Sequence, residues 1–128
     1  MPTAQQQTQA PLPLLYTNPT PIDAKRHSVM AIREGLNLSF VAKVHAVPVN
    51  VIEFPQLCHF YPVVFSPDAS ATPAAVMGLA QGENLCVGPN GTWFDPAAYI
   101  PSYIRRYPFL FAEIKDTDQL TLCIDDIP

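Results

Sequence analysis

A chain of 128 residues, 48% apolar and only 14% charged, points to a globular chain large enough to bury a real core without cross-links. Its net charge of −4 speaks against a nucleic-acid footprint, which needs clustered lysine and arginine. No apolar run approaches the length of a membrane span, and 15 prolines against 5 glycines predict short elements joined by stiff loops.

Residues 1–21 carry proline, glutamine and threonine but no charge, and are expected to form a flexible arm ahead of a single domain over 22–128. Residues 1–10 read as a disordered leader. Leu14, Leu15 and Tyr16 are costly to leave wet, so docking on the domain competes with disorder there. The start lacks the basic stretch and apolar core of a signal peptide. A cytoplasmic location is therefore expected, with export by a route that leaves no N-terminal mark as the alternative.

"HSVMAI" (27–32) and "LSFVAKVHAVPV" (38–49) read as strands. In the second, Phe40, Ala42, Val44 and Ala46 form an apolar face opposite Val41, Lys43, His45 and Val47. Asn50 with Glu53 three residues on resembles a capping box. Pro55 then breaks the helix and Tyr61-Pro62 closes it. "PVVF" (62–65) reads as a buried strand, and "AAVMGLA", "NLCV" and "TWF" as a meander with a turn at Asn90-Gly91. Asp95 and Pro96 open a second helix that runs to Tyr107. The final strand "QLTLCID" is expected to be left as an edge, or to end, at Asp125-Asp126. Cys58, Cys86 and Cys123 each sit among apolar neighbours, which predicts buried free thiols in a reducing compartment rather than reactive or metal-bound ones.

Two stretches echo each other. "FPQLCHFYPVVF" and "IPSYIRRYPFLF" place Pro55 and Pro101, Tyr61 and Tyr107, Pro62 and Pro108, and Phe65 and Phe111 at a constant offset. A repeated α-β-β unit is the expectation, with residues 50–79 falling on 96–125; chance similarity between proline-rich helix ends is the competing reading. The fold class is α+β: antiparallel sheet with two short proline-broken helices.

The segments "PLLYTNPTPIDAKRHSVMAI", "EFPQLCHFYPVVF", "AAVMGLAQGENLCV", "AAYIPSYIRRYPFLF" and "QLTLCIDD", in this order, resemble the SapC family, named from bacterial surface-layer and serum-resistance work. The resemblance runs from about Leu14 to Asp126. Family members continue into a further, more helical segment, so it implies that this chain is a short or truncated member. It carries over no catalytic residues.

No phosphate-cradling glycine loop, zinc-ligand spacing or glycine-framed nucleophile occurs in the sequence. No catalytic residue, metal site or cofactor is therefore expected. Cys58 and His59 are adjacent, but neighbours on a helix diverge by about 100° and make no ready nucleophile–base pair. The candidate binding residues are Arg105 and Arg106, with Tyr103, Trp93 and Tyr99 around them. Arginine geometry suits a carboxylate or phosphate. The structural alternative is a pair of cations at a helix C-terminus, one of them bonded to the acidic loop 116–118. On the helical wheel Arg106 edges toward the aromatic boundary and Arg105 faces water. Any groove is expected between this helix and the Trp93 hairpin. These features point to a non-enzymatic accessory or binding protein with a protein or peptide partner, of unassigned oligomeric state. The alternatives are a structural subunit of a bacterial surface-layer assembly and an enzyme with an unrecognised site.

Overall fold

The computed structural model describes residues 11–33, 35 and 37–126; the expected leader at 1–10 lies outside them. Six strands form two three-stranded antiparallel sheets, an α+β arrangement. One sheet has the order β1 (Pro19–Pro21), β6 (Leu120–Asp125), β5 (Phe109–Glu113). The other has the order β2 (Ala46–Pro48), β4 (Pro73–Val76), β3 (Val63–Phe65). Two single-turn helices, α1 (Phe54–Leu57) and α2 (Ser102–Arg105), precede β3 and β5. Prolines account for their brevity: Pro55 and Pro101 sit at the starts, and Pro62 and Pro108 follow the ends.

The echo in the sequence is an echo in structure. Each sheet centres its last strand between the strand that follows the helix and a strand that precedes the helix. The Val76 N–H donates to the Pro62 carbonyl (2.9 Å) as the Asp125 N–H donates to that of Pro108 (2.8 Å). On the other side of each central strand, the Val49 N–H donates to Pro73 (3.0 Å) and the Ile22 N–H to Leu122 (3.0 Å). The offset between copies is therefore 46 residues at Pro62 and Pro108, and 49 at Val76 and Asp125. This corrects the constant register expected for the last strand, because β5 and β6 are each two residues longer than β3 and β4, while the loop between them is one residue shorter. The second copy is also discontinuous. Its first strand is β1, and the whole first copy is inserted between β1 and α2.

Residues 16–21, expected in the arm, are part of this fold. Tyr16 is buried and donates its hydroxyl to the Phe109 carbonyl (2.7 Å), and Pro19–Pro21 pairs with β6. β6 is consequently a central strand and not an edge, and it ends at Asp125, the other expected outcome. Two further strand expectations fail. Residues 27–32 form turns with Val29, Met30 and Ile32 exposed. Residues 38–49 open with a 3-10 turn at Ser39–Val41 and pair only at β2. The buried set there is Leu38, Val41 and Val47, with Val44 packed beside them. That spacing of three residues turns inward Val41 and Val47 of the mixed face together with Val44 of the apolar face, and leaves Phe40 and Ala42 exposed.

The main core joins these residues to Val49, Leu57, Tyr61, Ala75, Met77 and Ile104. A smaller one lies under the β1–β6–β5 sheet, built on Tyr16, Leu110 and Cys123. The expected meander reduces to one antiparallel bridge, Val87 with Trp93. Its turn contains Gly91 at φ +73°, where a Cβ would stand 2.1 Å from Asn37 Oδ1. Gly91→Ala is expected to lower stability by about 2 kcal/mol, read as a drop in the denaturation midpoint.

The three thiols differ. Cys123 is buried and Cys86 half-buried, with burial pushing the Cys86 thiol up. Cys58 is exposed, against expectation, because it follows α1 on the side away from Leu57. A native-state thiol titration should therefore show one fast equivalent and two slow ones, and Cys58→Ser should remove the fast one.

Candidate binding cleft

The residues that set the site begin with Glu53. Its side chain is 5% exposed and bridges the two helix starts. Oε2 accepts the Asn50 N–H (2.9 Å), the Glu53 arm of the expected capping box. Oε1 accepts the Ser102 N–H (2.8 Å) and the Tyr99 hydroxyl (2.8 Å). Burial works against the charge, but the hydrogen bonds from Asn50, Ser102 and Tyr99 outweigh it and hold the carboxyl below its ordinary range. One carboxylate thus fixes α2 against the end of β2.

The expected helix from Asp95 is shorter than its sequence pattern. Asp95 Oδ1 accepts the Ala97 N–H (2.8 Å) and caps an isolated turn; the α-helix starts only at Ser102, after Pro101 in an extended conformation. The aromatic residues between these points knit the turn to the core. Trp93 Nε1 donates to the Tyr61 hydroxyl (2.8 Å), which donates to the Tyr99 carbonyl (2.7 Å). Burial is the main reason that the Tyr61 phenol is pushed up to about 12.

The two arginines take opposite roles. Arg105 donates from Nε to the Ile100 carbonyl (2.9 Å) and from Nη2 to the Tyr99 hydroxyl (3.0 Å), with its guanidinium 5.2 Å from the Tyr99 ring centre. It is a clamp on the 99–105 segment and does not simply face water. Arg106 lies 4.2 Å over the Tyr103 ring and 5.7 Å from that of Tyr16. Among the described residues no carboxylate is within 4.0 Å of either guanidinium, so the expected bond to loop 116–118 is not formed.

Arg106 and Tyr103 line an open cleft of about 510 Å³. Its other walls are the end of β2 with Asn50 and Val51, the β3–β4 loop through Ser70 and Thr72, and Ser102. Its lining includes no residue of the Trp93 hairpin, so it is not the expected groove. Trp93, Tyr99 and Arg105 do not line it; Trp93 bonds Tyr61, Tyr99 bonds Glu53, and Arg105 bonds Ile100 and Tyr99. Ser70 and Thr72 escaped sequence reasoning because they sit in a turn-rich loop that reads as generic. Their only signal was the loop's position between two strands of one repeat.

Among the described residues no helix is long and apolar enough to cross a membrane. No curated protein and no solved structure matches the chain. The SapC family model matches residues 22–127, the span that holds both copies of the helix–strand–strand unit and the cleft between them, and the chain therefore belongs to the SapC family.

Proposed function

We propose that this SapC protein is a non-enzymatic accessory protein that binds a protein partner through an extended, carboxylate-bearing segment laid in the α2 cleft. The observation that carries the reading is Arg106. Its guanidinium is held 4.2 Å over the Tyr103 ring at the wall of a cleft large enough for several residues. It has no carboxylate partner among the described residues. Guanidinium geometry favours a bidentate carboxylate, and stacking on tyrosine pre-orients it at little entropic cost.

The rest of the lining supports holding rather than proton transfer. Asn50, Ser70, Thr72 and Ser102 offer polar groups for a peptide backbone, while Pro48, Val49 and Pro73 offer apolar contact. An array of extended peptides that differ only in the number and position of carboxylates tests the reading. Retention is expected to rise with a single well-placed carboxylate and to fall about tenfold with Arg106→Ala. Retention indifferent to both the carboxylate and Arg106 would sink the proposal.

A further inference from the structure

The two sheets expose four edges among the described residues; two of them carry proline at positions that face outward, and a third runs into a proline just past its end. In the β1–β6 ladder the bonded positions are Asn18, Thr20 and Ile22, as the Ile22 N–H to Leu122 (3.0 Å) and Asp126 N–H to Asn18 (3.1 Å) bonds fix. Pro19 and Pro21 therefore point to the open side and present no N–H there. On the β2 edge the same argument, from Val49 to Pro73 (3.0 Å) and Met77 to His45 (2.7 Å), turns Pro48 outward. The β3 edge runs into Pro67, also an outward position.

β5 has no such guard. The bonds Asp125 N–H to Pro108 (2.8 Å) and Ile114 N–H to Gln119 (3.0 Å) put Leu110 and Ala112 toward β6. Phe109, Phe111 and Glu113 face out. Phe109 is already satisfied: its N–H donates to Arg106 (2.8 Å) and its carbonyl accepts from Tyr16. Phe111 and Glu113 keep both backbone groups unpaired among the described residues. The side chains beside this edge are apolar and open: Phe111 is 67% exposed, Leu120 59% and Leu122 41%. Phe111 and Leu122 are cross-strand partners on that face.

We propose that β5 is a homodimerisation edge, pairing antiparallel with β5 of a second copy about a twofold axis at Ala112. In that register each Phe111 faces the second copy's Glu113. The four free N–H and C=O groups of each strand are then all used, with none left over. Centring the axis on Phe111 would use only half of them, because Phe109 is already engaged. Placing the axis at Ala112 also keeps the two Glu113 carboxylates out of direct opposition. The contact is isologous, so it closes at two chains, and it extends one apolar sheet face across six strands. Its area is on the order of 1,000 Å², the low end for a specific interface, so association is expected to depend on concentration.

Sedimentation equilibrium of the full chain from about 1 µM to about 1 mM spans the range of a weak interface. The apparent mass should double and then stop. Glu113→Pro removes an outward N–H without touching the β6 ladder, and Phe111→Lys places a charge in the apolar strip. Both variants should keep the single-chain mass throughout with near wild-type melting, and either one suffices if the other does not fold. Phe65→Lys, at the equivalent β3 position, should dimerise as wild type does. A wild-type mass that never rises, or that doubles unchanged in both β5 variants, overturns the proposal. So does a mass that climbs past two chains and is suppressed by Phe65→Lys, which would mean an open β3-to-β5 chain.

Discussion

Glu53→Ala should lower stability by about 3 kcal/mol, the largest single-residue loss expected outside the apolar core. The substitution strips the Asn50 and Ser102 N–H groups and the Tyr99 hydroxyl of their acceptor at once. Two of these donors are backbone groups at helix starts, where no alternative partner exists. Glu53→Gln keeps an acceptor oxygen but sets an amide N–H against a donor, and should cost about 2 kcal/mol. The pH dependence follows from the depressed carboxyl. The unfolded chain takes up the proton first as pH falls, so the contribution is fully present above the ordinary glutamate value near 4.5. It is lost as pH falls through the lower folded value. Melting of wild type and Glu53→Gln between pH 7 and 3 should therefore converge on the acid side, and parallel curves would contradict this role. Because Ser102 also starts α2, loss of Glu53 should loosen the cleft as well as the fold.

Asp125→Ala should cost about 2–3 kcal/mol and open the N-terminal segment first. The Asp125 side chain, 6% exposed, accepts the Thr17 N–H (2.9 Å) and Asn18 N–H (2.6 Å) on Oδ1 and the Tyr107 hydroxyl (3.0 Å) on Oδ2. It therefore anchors the entry to β1, a strand of only three residues. Limited proteolysis near residues 17–23 should accelerate more than global unfolding does. The same variant should move the Tyr107 phenol. Burial first, then the hydrogen bond and charge of Asp125, push it up to about 12, and removing the carboxylate should bring it down toward its ordinary value. In wild type the raised Tyr61 and Tyr107 phenols contribute stability below pH 10. That contribution is lost as pH rises toward about 12. Absorbance of the phenolates against pH, with and without Asp125, checks both statements.

The helix-strand-strand units were legible because prolines mark their boundaries, and a proline's fixed φ and missing N–H act locally. The strand β1 was not, for the same reason. Pro19 and Pro21 read as an extended arm, and only the partner strand reveals that both face away from the ladder. Leu38, Val41, Val44 and Val47 carry a three-residue spacing, but Phe40, Ala42 and Ala46 between them give an equally good alternation. Tertiary burial decides between the two patterns. Of the candidate binding residues, Arg106 and Tyr103 share the cleft, whereas Arg105, Tyr99 and Trp93 belong to its support. The helical wheel placed Arg106 at the aromatic boundary, where it lies over Tyr103, but not Arg105, because the helix is one turn long and Arg105 folds back on Ile100 and Tyr99. Links such as Thr17 to Asp125 span the chain, and no local pattern announces them.

The division of labour between the two arginines is the centre of the account. The most direct measurement pairs melting with affinity for one carboxylate-bearing peptide in wild type, Arg105→Ala and Arg106→Ala. Arg105→Ala should lose about 1 kcal/mol of stability through its two hydrogen bonds and retain most of its affinity. Arg106→Ala should melt within ~0.5 kcal/mol of wild type and bind about tenfold more weakly. Equal effects of the two substitutions on both quantities, or binding lost only with Arg105, would contradict the account.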